Sequence, residues 1–158
     1  MPSSIEAPNN QLLAAIHSGD SDGALKSINA GANIEAANQR GNTVLMLASE
    51  YGRTETVAAL LAQGANIEAA NQHGETALML ASRSGRTEIV TALLAKGANI
   101  EAANKYGDTA LMRASWSGRT ETVTILLANG ASIEATDRHG DTALMFASWS
   151  GCTETVTI

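Results

Sequence analysis

A unit of 33 residues repeats along this chain without an insertion or a deletion, and this feature restricts the fold more than any other. The copies begin at Gly31, Gly64, Gly97 and Gly130. The first two copies are identical at 25 of 33 positions, a match that chance does not produce. A period of this length is typical of an array in which each unit buries its apolar face against the next one.

Each copy has the pattern of a helix, a turn, a second helix and a loop. In the first copy, Thr43 precedes five apolar residues and is a predicted helix N-cap. Gly52 is a predicted helix end, because glycine tolerates a positive φ. Val57 and Leu60 have the spacing of a buried stripe on the second helix. Residues 65–74 include Asn, Gly and other polar residues, which favours a projecting hairpin-like loop.

The composition fits such an array. Hydrophobic residues make up 44% of the chain but aromatic residues only 3%, so Ala, Leu, Ile, Val and Met must form the core. Small side chains at one recurrent position would let neighbouring helices approach closely. Alanine occupies that position in every unit: Ala15, Ala48, Ala81, Ala114 and Ala147.

Charge and cysteine content exclude several classes of protein. A net charge of −6 argues against binding to nucleic acid or to an anionic membrane. No apolar run is long enough to span a membrane, and residues 1–8 lack the pattern of a secretory signal. Cys152 is the single cysteine, so an internal disulfide framework is excluded. We therefore expect an intracellular protein, with the cytoplasm as its compartment.

These residues and their period resemble the ankyrin repeat family. The family pattern is present as Gly31-Ala32, Thr43, Gly52, Val57 and Leu60-Leu61. The resemblance covers residues 9–158 and implies an all-α repeat solenoid of stacked helix-turn-helix ankyrin repeats with projecting hairpin-like loops. The expected divisions are a flexible N-terminal tail (1–8), an N-terminal partial repeat (9–30), three full repeats (31–63, 64–96 and 97–129) and a truncated last repeat (130–158).

Two departures from the family pattern affect these expectations. Methionine replaces the family's histidine in the three full repeats and in the truncated last one, at Met46, Met79, Met112 and Met145. Because methionine cannot join the Thr–His hydrogen-bond relay of the family, we expect packing to replace it. Glutamate replaces the hairpin asparagine that is hydroxylated in some members, so this modification is not carried over.

Function is expected at the positions that vary between copies. The resemblance implies that hairpin tips and first helices line a concave surface for partners, and four of the five aromatic residues lie at its variable positions. Trp, Tyr and Arg are enriched in interface hot spots. The candidate partner-binding residues are Arg40, Tyr51, His73, Arg83, Tyr106, Arg113, Trp116, Arg138, His139 and Trp149.

The two tryptophans lead this set. We expect their rings to stand side by side about 10 Å apart, the usual spacing of stacked helices. Arg113 replaces leucine and would add a charge, which favours a partner with apolar and acidic groups. The competing interpretation is that Trp116 and Trp149 only cover the ends of neighbouring helices.

Other chemistry is not indicated. His17, His73 and His139 lack metal-ligand spacing, and Cys152 has no indicated base partner. The row Arg53, Arg86 and Arg119 is interpreted as a solvated face, neutralised by glutamates two residues on. We expect no catalytic, metal or cofactor site.

The sequence therefore predicts a non-enzymatic scaffold that binds another protein on the concave face of the array, and we expect the chain to be a segment of a larger protein. The alternative is an engineered or recently duplicated structural array with no dedicated partner. We also expect end-to-end self-association through Leu144, Phe146 and Val156 of the truncated last repeat, because they would be partly uncovered.

Overall fold

A computed structural model of the chain describes residues 6–156, which form ten α-helices. In chain order these are α1 (Glu6–Ser18), α2 (Ser21–Asn29), α3 (Val44–Tyr51), α4 (Thr54–Ala62), α5 (Ala77–Arg83), α6 (Thr87–Ala95), α7 (Ala110–Trp116), α8 (Thr120–Ala128), α9 (Ala143–Trp149) and α10 (Thr153–Val156). In this part of the chain, extended pairing is limited to two isolated bridges, Ala37 with Thr43 and Thr136 with Thr142. The predicted all-α repeat solenoid is confirmed.

Local capping explains where the first helix of each full repeat begins. The Thr43 hydroxyl accepts a hydrogen bond from the Met46 amide at 3.3 Å, which satisfies one of the free N–H groups of the first turn. Thr76, Thr109 and Thr142 cap α5, α7 and α9 in the same way. Gly52 ends α3 with a φ of 75°, a left-handed conformation that favours glycine. The predicted caps are confirmed.

The N-terminal boundary differs from the prediction. Helix α1 begins at Glu6, so residues 6–8, which were expected to belong to the tail, are helical. Pro8 is the third residue of this helix, and its missing N–H costs nothing because the first turn has no partner for it. Residues 1–5 of the predicted tail lie outside the described residues, as do residues 157 and 158 of the predicted last repeat.

The helices stack in two layers. The first helices of the repeats (α1, α3, α5, α7 and α9) pack against one another, and the second helices form the other layer. The alanine that recurs in every unit is buried along the first layer, as expected for close helix approach. Met46, Met79 and Met112 are also buried, so packing occupies the position of the family's histidine. Among residues 6–156, no helix is both long enough and apolar enough to cross a membrane.

The arginines between the two helices of each repeat have a role that was not predicted. Arg53 Nε donates to the carbonyl of Ile16 at 2.9 Å, and Arg86 Nε donates to the carbonyl of Glu50 at 3.2 Å. Arg119 repeats the contact one unit later. Each carbonyl lies in the last turn of the preceding first helix, where a cation is favourable. Arg86 and Arg119 are exposed, as expected for a solvated face, and no described ion pair involves the three arginines, so their structural contacts are with backbone carbonyls.

A second set of contacts joins the loops. Glu35, Glu68 and Glu101 each accept a hydrogen bond at 2.7 Å from a backbone N–H of the next repeat. The glutamate that replaces the family's asparagine is therefore a structural contact between successive loops. Together with the arginine contacts, it holds consecutive repeats in one register.

Candidate partner-binding site

The hairpin tips and the exposed sides of the first helices form one surface, which we call the first-helix surface. Equivalent residues of successive repeats lie beside one another on it, because the first helices stack in register. Two positions carry most of its variation. One holds Glu50, Arg83, Trp116 and Trp149, and the other holds Leu47, Leu80, Arg113 and Phe146.

The middle of this surface is an ionic cluster of Glu50, Glu75, Arg83, Asp108 and Arg113. Arg83 contacts Glu50 at 2.6 Å and Glu75 at 3.4 Å, and Arg113 contacts Glu75 at 2.9 Å. Arg113 also lies 3.6 Å from Asp108. The Asn71 side chain donates to Glu75 at 3.1 Å, so Glu75 is saturated with partners. The cluster extends across three repeats.

These ion pairs change the expected role of two candidate residues. Arg113 was expected to add a charge that favours acidic groups in a partner, but Glu75 and Asp108 neutralise it. Arg83 is likewise held between two carboxylates. Neither guanidinium is free to attract an acidic partner, so the electrostatic argument for such a partner is wrong. The buried Nε of Arg113 has no hydrogen-bond partner within residues 6–156.

An aromatic cluster of Trp116, Phe146 and Trp149 lies at the C-terminal end of the same surface. The Phe146 ring is 5.8 Å from Trp116 and 5.7 Å from Trp149, edge to face in both cases. Phe146 therefore contacts both tryptophan rings, and the expected spacing of about 10 Å between the tryptophans stays a prediction. Such T-shaped pairs are a favoured arrangement of aromatic rings.

The two tryptophans remain largely accessible. Trp116 is 52% exposed and Trp149 is 59% exposed, although both contact Phe146. Trp116 and Phe146 also line a pocket of about 130 Å³, together with Asp108, Met112 and Arg113. Both tryptophan rings therefore have surface that a partner could contact.

Tyr51 lies apart from the aromatic cluster. Its ring is 5.3 Å from the ring of His17, and the guanidinium carbon of Arg53 is 6.0 Å from its centroid. These contacts belong to the first two repeats, whereas the tryptophans belong to the last two. The structure therefore does not gather the variable-position aromatic residues at one place.

The remaining candidates lie at the hairpin tips. Arg40, His73, Tyr106 and His139 occupy equivalent positions, Arg138 is adjacent, and all five are exposed. Backbone hydrogen bonds join successive tips, as from the Lys105 N–H to the His73 carbonyl at 2.9 Å and from the Arg138 N–H to the Tyr106 carbonyl at 3.0 Å. The tips form a continuous edge along the first-helix surface.

The last tip contains Asp137 where earlier copies have asparagine. One Asp137 carboxylate oxygen accepts hydrogen bonds from the N–H groups of His139 and Asp141, each at 2.8 Å. Burial raises the pKa of the Asp137 carboxyl, but these backbone donors and the nearby His139 outweigh that effect and hold the pKa below its ordinary value. Asp137 is therefore ionised at neutral pH.

The comparison with protein families agrees with this geometry. A family model described as ankyrin repeats (3 copies) matches residues 12–104 and 100–158. The chain belongs to the ankyrin repeat family. Ankyrin repeats are generally protein–protein interaction modules and non-enzymatic scaffolds. The comparison with curated proteins gives no match.

Metal and thiol chemistry find little support in the geometry. Within residues 6–156, no group of three or more His, Cys, Asp or Glu side chains could hold a metal ion. The Cys152 thiol donates a weak hydrogen bond to the Ser150 carbonyl at 3.8 Å. Cys152 stands where earlier copies have the arginine that contacts the preceding helix.

Charge pairing and the role of Phe146 were missed at the sequence level. Glu50 and Arg83 are 33 residues apart, and Glu75 and Arg113 are 38 residues apart. Comparing charges between adjacent copies, rather than within one copy, would have found the first pair. The same spacing of 38 separates Asp108 from Phe146, which indicates that the ring occupies the place of a cation.

Proposed function

We propose that this chain is a non-catalytic scaffold that binds a partner protein on the first-helix surface, the concave face of the family's arrays. The exposed aromatic cluster carries the proposal, because Trp116 and Trp149 leave more than half of their surface accessible and Trp116 lines a pocket with Phe146. Large rings held rigidly by T-shaped packing provide contact area at little entropic cost. A protein is favoured over nucleic acid or membrane by the net charge of −6.

The ionic cluster is expected to contribute little binding energy itself, which leaves the aromatic cluster as the main contact. Its charges are already paired, and a partner that displaced these pairs would leave a half-buried charge uncompensated. We expect it to keep the surface rigid and to border the contact. The binding energy then centres on the aromatic cluster, with Tyr106 at its edge.

The competing candidate is a structural array with no dedicated partner, and the near-identity of the copies supports it. One experiment distinguishes the two candidate functions. A displayed library of random 12-residue peptides is selected against the chain, and binding is then titrated through the fluorescence of the two tryptophans.

The proposal predicts that Trp116→Ala weakens binding of a selected peptide by about 2 kcal/mol while the helical content is unchanged. Thr91→Ala is the matched control, because Thr91 is exposed on α6 in the other layer and bonds only within its helix. Binders whose affinity ignores both tryptophans, or the failure of the library to yield binders, would favour the structural array.

We also propose end-to-end self-association, on a separate observation. Ile133, Leu144, Met145 and Val156 are exposed together at the C-terminal side of α9 and α10. Ile133, Leu144 and Val156 line an apolar pocket with side chains of the preceding repeat. Phe146 was expected on this face, but it packs in the aromatic cluster instead.

The second copy is expected to dock with its own C-terminal face. At the other end of the array, Asp20 occupies the position of the arginines that contact helix-terminal carbonyls. A head-to-tail contact would place this carboxylate against those carbonyls, which is unfavourable. A symmetric contact between two apolar ends avoids this repulsion.

Light scattering over a range of concentrations tests the association. We expect the mean mass to rise toward a dimer, and Leu144→Glu to abolish the rise because it places two charges in the contact. Thr124→Glu, on an exposed residue of α8, is the control. A monomer at every concentration would contradict the proposal.

The intracellular location expected from the sequence stays a prediction.

A further inference from the structure

The acidic residues of the first-helix surface occupy one position in successive repeats. Glu75, Asp108 and Asp141 are 33 residues apart. The first two are paired: Glu75 contacts both arginines of the ionic cluster, and Asp108 contacts Arg113. The position is therefore one at which the fold places a carboxylate against a cation.

Asp141 lacks the arginine and asparagine side chains that contact the equivalent carboxylates of Glu75 and Asp108. Trp149 stands where Arg83 stands relative to Glu75, eight residues along the chain. The asparagines that donate side-chain hydrogen bonds to Glu75 and Asp108, at 3.1 and 3.2 Å, are replaced by Asp137. No described ion pair includes Asp141. An ionised carboxylate now stands where an amide donor stood.

The charges of the last hairpin tip point the same way. Arg138 and His139 are the basic residues nearest to Asp137 and Asp141 along the chain, and the bond from His139 to Asp137 is made by the backbone N–H. This tip has two carboxylates, Asp137 and Asp141, and one guanidinium group, Arg138. The lowered pKa of Asp137 keeps this excess ionised at neutral pH.

The contact of Arg83 with Glu75 at 3.4 Å indicates that the equivalent positions, those of Trp149 and Asp141, are neighbours that together make a site for a cation. Tryptophan is the best of the aromatic side chains at attracting a guanidinium or ammonium group over its face. Trp149 and Trp116 present exposed rings, and Asp141 supplies an uncompensated negative charge in the same repeat as Trp149. An earlier copy fills the equivalent space with its own arginine, Arg83.

We infer that the bound segment presents an arginine or lysine side chain to Trp149 and Asp141, replacing the cation that the last repeat lacks. The inference rests on the proposed function and names the chemistry of its partner. The expected charge of the partner's side chain is therefore positive, whereas the sequence suggested an acidic partner. Apolar residues on either side of the basic residue would contact Trp116 and Phe146.

Three matched synthetic peptides test this inference. Each is acetylated and has the sequence Gly-Ser-Leu-X-Leu-Ser-Gly-amide, where X is Arg, Gln or Glu. Tryptophan fluorescence reports binding at low ionic strength. We expect the Arg peptide to bind about fivefold more tightly than the Gln peptide, and the Glu peptide to bind most weakly. Added salt should reduce the preference for Arg.

Asp141→Asn should remove most of the preference for Arg without weakening the Gln peptide. Glu121→Gln is the matched control, because it removes one charge from an exposed position on α8. A Glu peptide that binds best, a preference that survives Asp141→Asn, or an Arg peptide that does not bind at millimolar concentration would overturn the inference. Equal binding of all three peptides that is lost in Trp149→Ala would overturn the inference but retain the proposed function. Binding that is indifferent to Trp149→Ala and Trp116→Ala would overturn both.

Discussion

The repeat that begins at Gly64 and the repeat that begins at Gly130 follow the same sequence pattern but expose different chemistry. Leu78 is 2% exposed and Leu144, its equivalent, is 48% exposed. Arg83 is held between two carboxylates, whereas Trp149 projects from the surface. The first difference arises from the neighbouring repeat, since the residue is the same. The second arises from a substitution. The array thus separates what stacking determines from what individual residues determine.

Truncating the shared leucine should give the largest effect and test the role of stacking. We expect Leu78→Ala to reduce the free energy of unfolding by about 3 kcal/mol, because it leaves a cavity in a close-packed core. Leu144→Ala should cost less than about 1 kcal/mol, since solvent already reaches that side chain. Urea unfolding followed by circular dichroism measures both. Equal losses would show that the last repeat is packed as tightly as the inner one.

Neutralising equivalent acids should separate the ionic cluster from the last repeat. Glu75→Gln leaves two arginines without a shared carboxylate, and we expect a loss of about 2 kcal/mol in the free energy of unfolding. Asp141→Asn removes no ion pair and should stay within about 0.5 kcal/mol of the parent chain. The same unfolding measurement applies. A large loss for Asp141→Asn would indicate an internal partner for this carboxylate.

Exchanging the inter-helix residue should test the arginine contacts. Arg86→Cys reproduces the residue of the last repeat and should cost about 1 kcal/mol, because the Glu50 carbonyl loses a charged donor. Cys152→Arg should stabilise the last repeat by about 0.5 kcal/mol through the equivalent carbonyl of α7. Hydrogen exchange of the α7 and α9 amides should resolve the gain. Unchanged protection in both variants would contradict the assigned role.

The smallest expected effect concerns pH. Asn104 and Asp137 accept the same pair of backbone hydrogen bonds, but only Asp137 can be protonated. Its folded pKa is lowered, so its contribution to stability is present above the unfolded value of about 3.9 and is lost as pH falls through the folded pKa. Asp137→Asn should remove this dependence and preserve the turn. An NMR titration that places the Asp137 pKa at or above 3.9 would refute the argument.

The sequence was sufficient for the fold because its evidence is local and repeated. Threonine caps, glycine turns and the alanine position depend on residues close together in the chain, and each of these features recurs in four or five repeats. The Glu50–Arg83 and Glu75–Arg113 pairs could not be found in this way, because they join different copies. The contact of Phe146 with both tryptophans depends on side-chain packing between α7 and α9. Reading one copy at a time conceals such contacts.

The start of α1 illustrates the same limit at a boundary. The predicted tail ends at Pro8, and proline disfavours a helix interior. The first turn tolerates it, and the periodic pattern contains no information about residues that precede the first repeat. Boundaries at the ends of an array therefore depend on capping rather than on the repeat.

The location of the binding energy is the central claim, and NMR chemical-shift mapping of a selected peptide on the ¹⁵N-labelled chain tests it most directly. We expect the largest shifts at residues 106–116 and 139–149, including both tryptophan indole N–H groups, and small shifts at residues 40–51. Perturbation concentrated at residues 40–51, or on the second-helix layer, with the indole signals unmoved, would contradict the account.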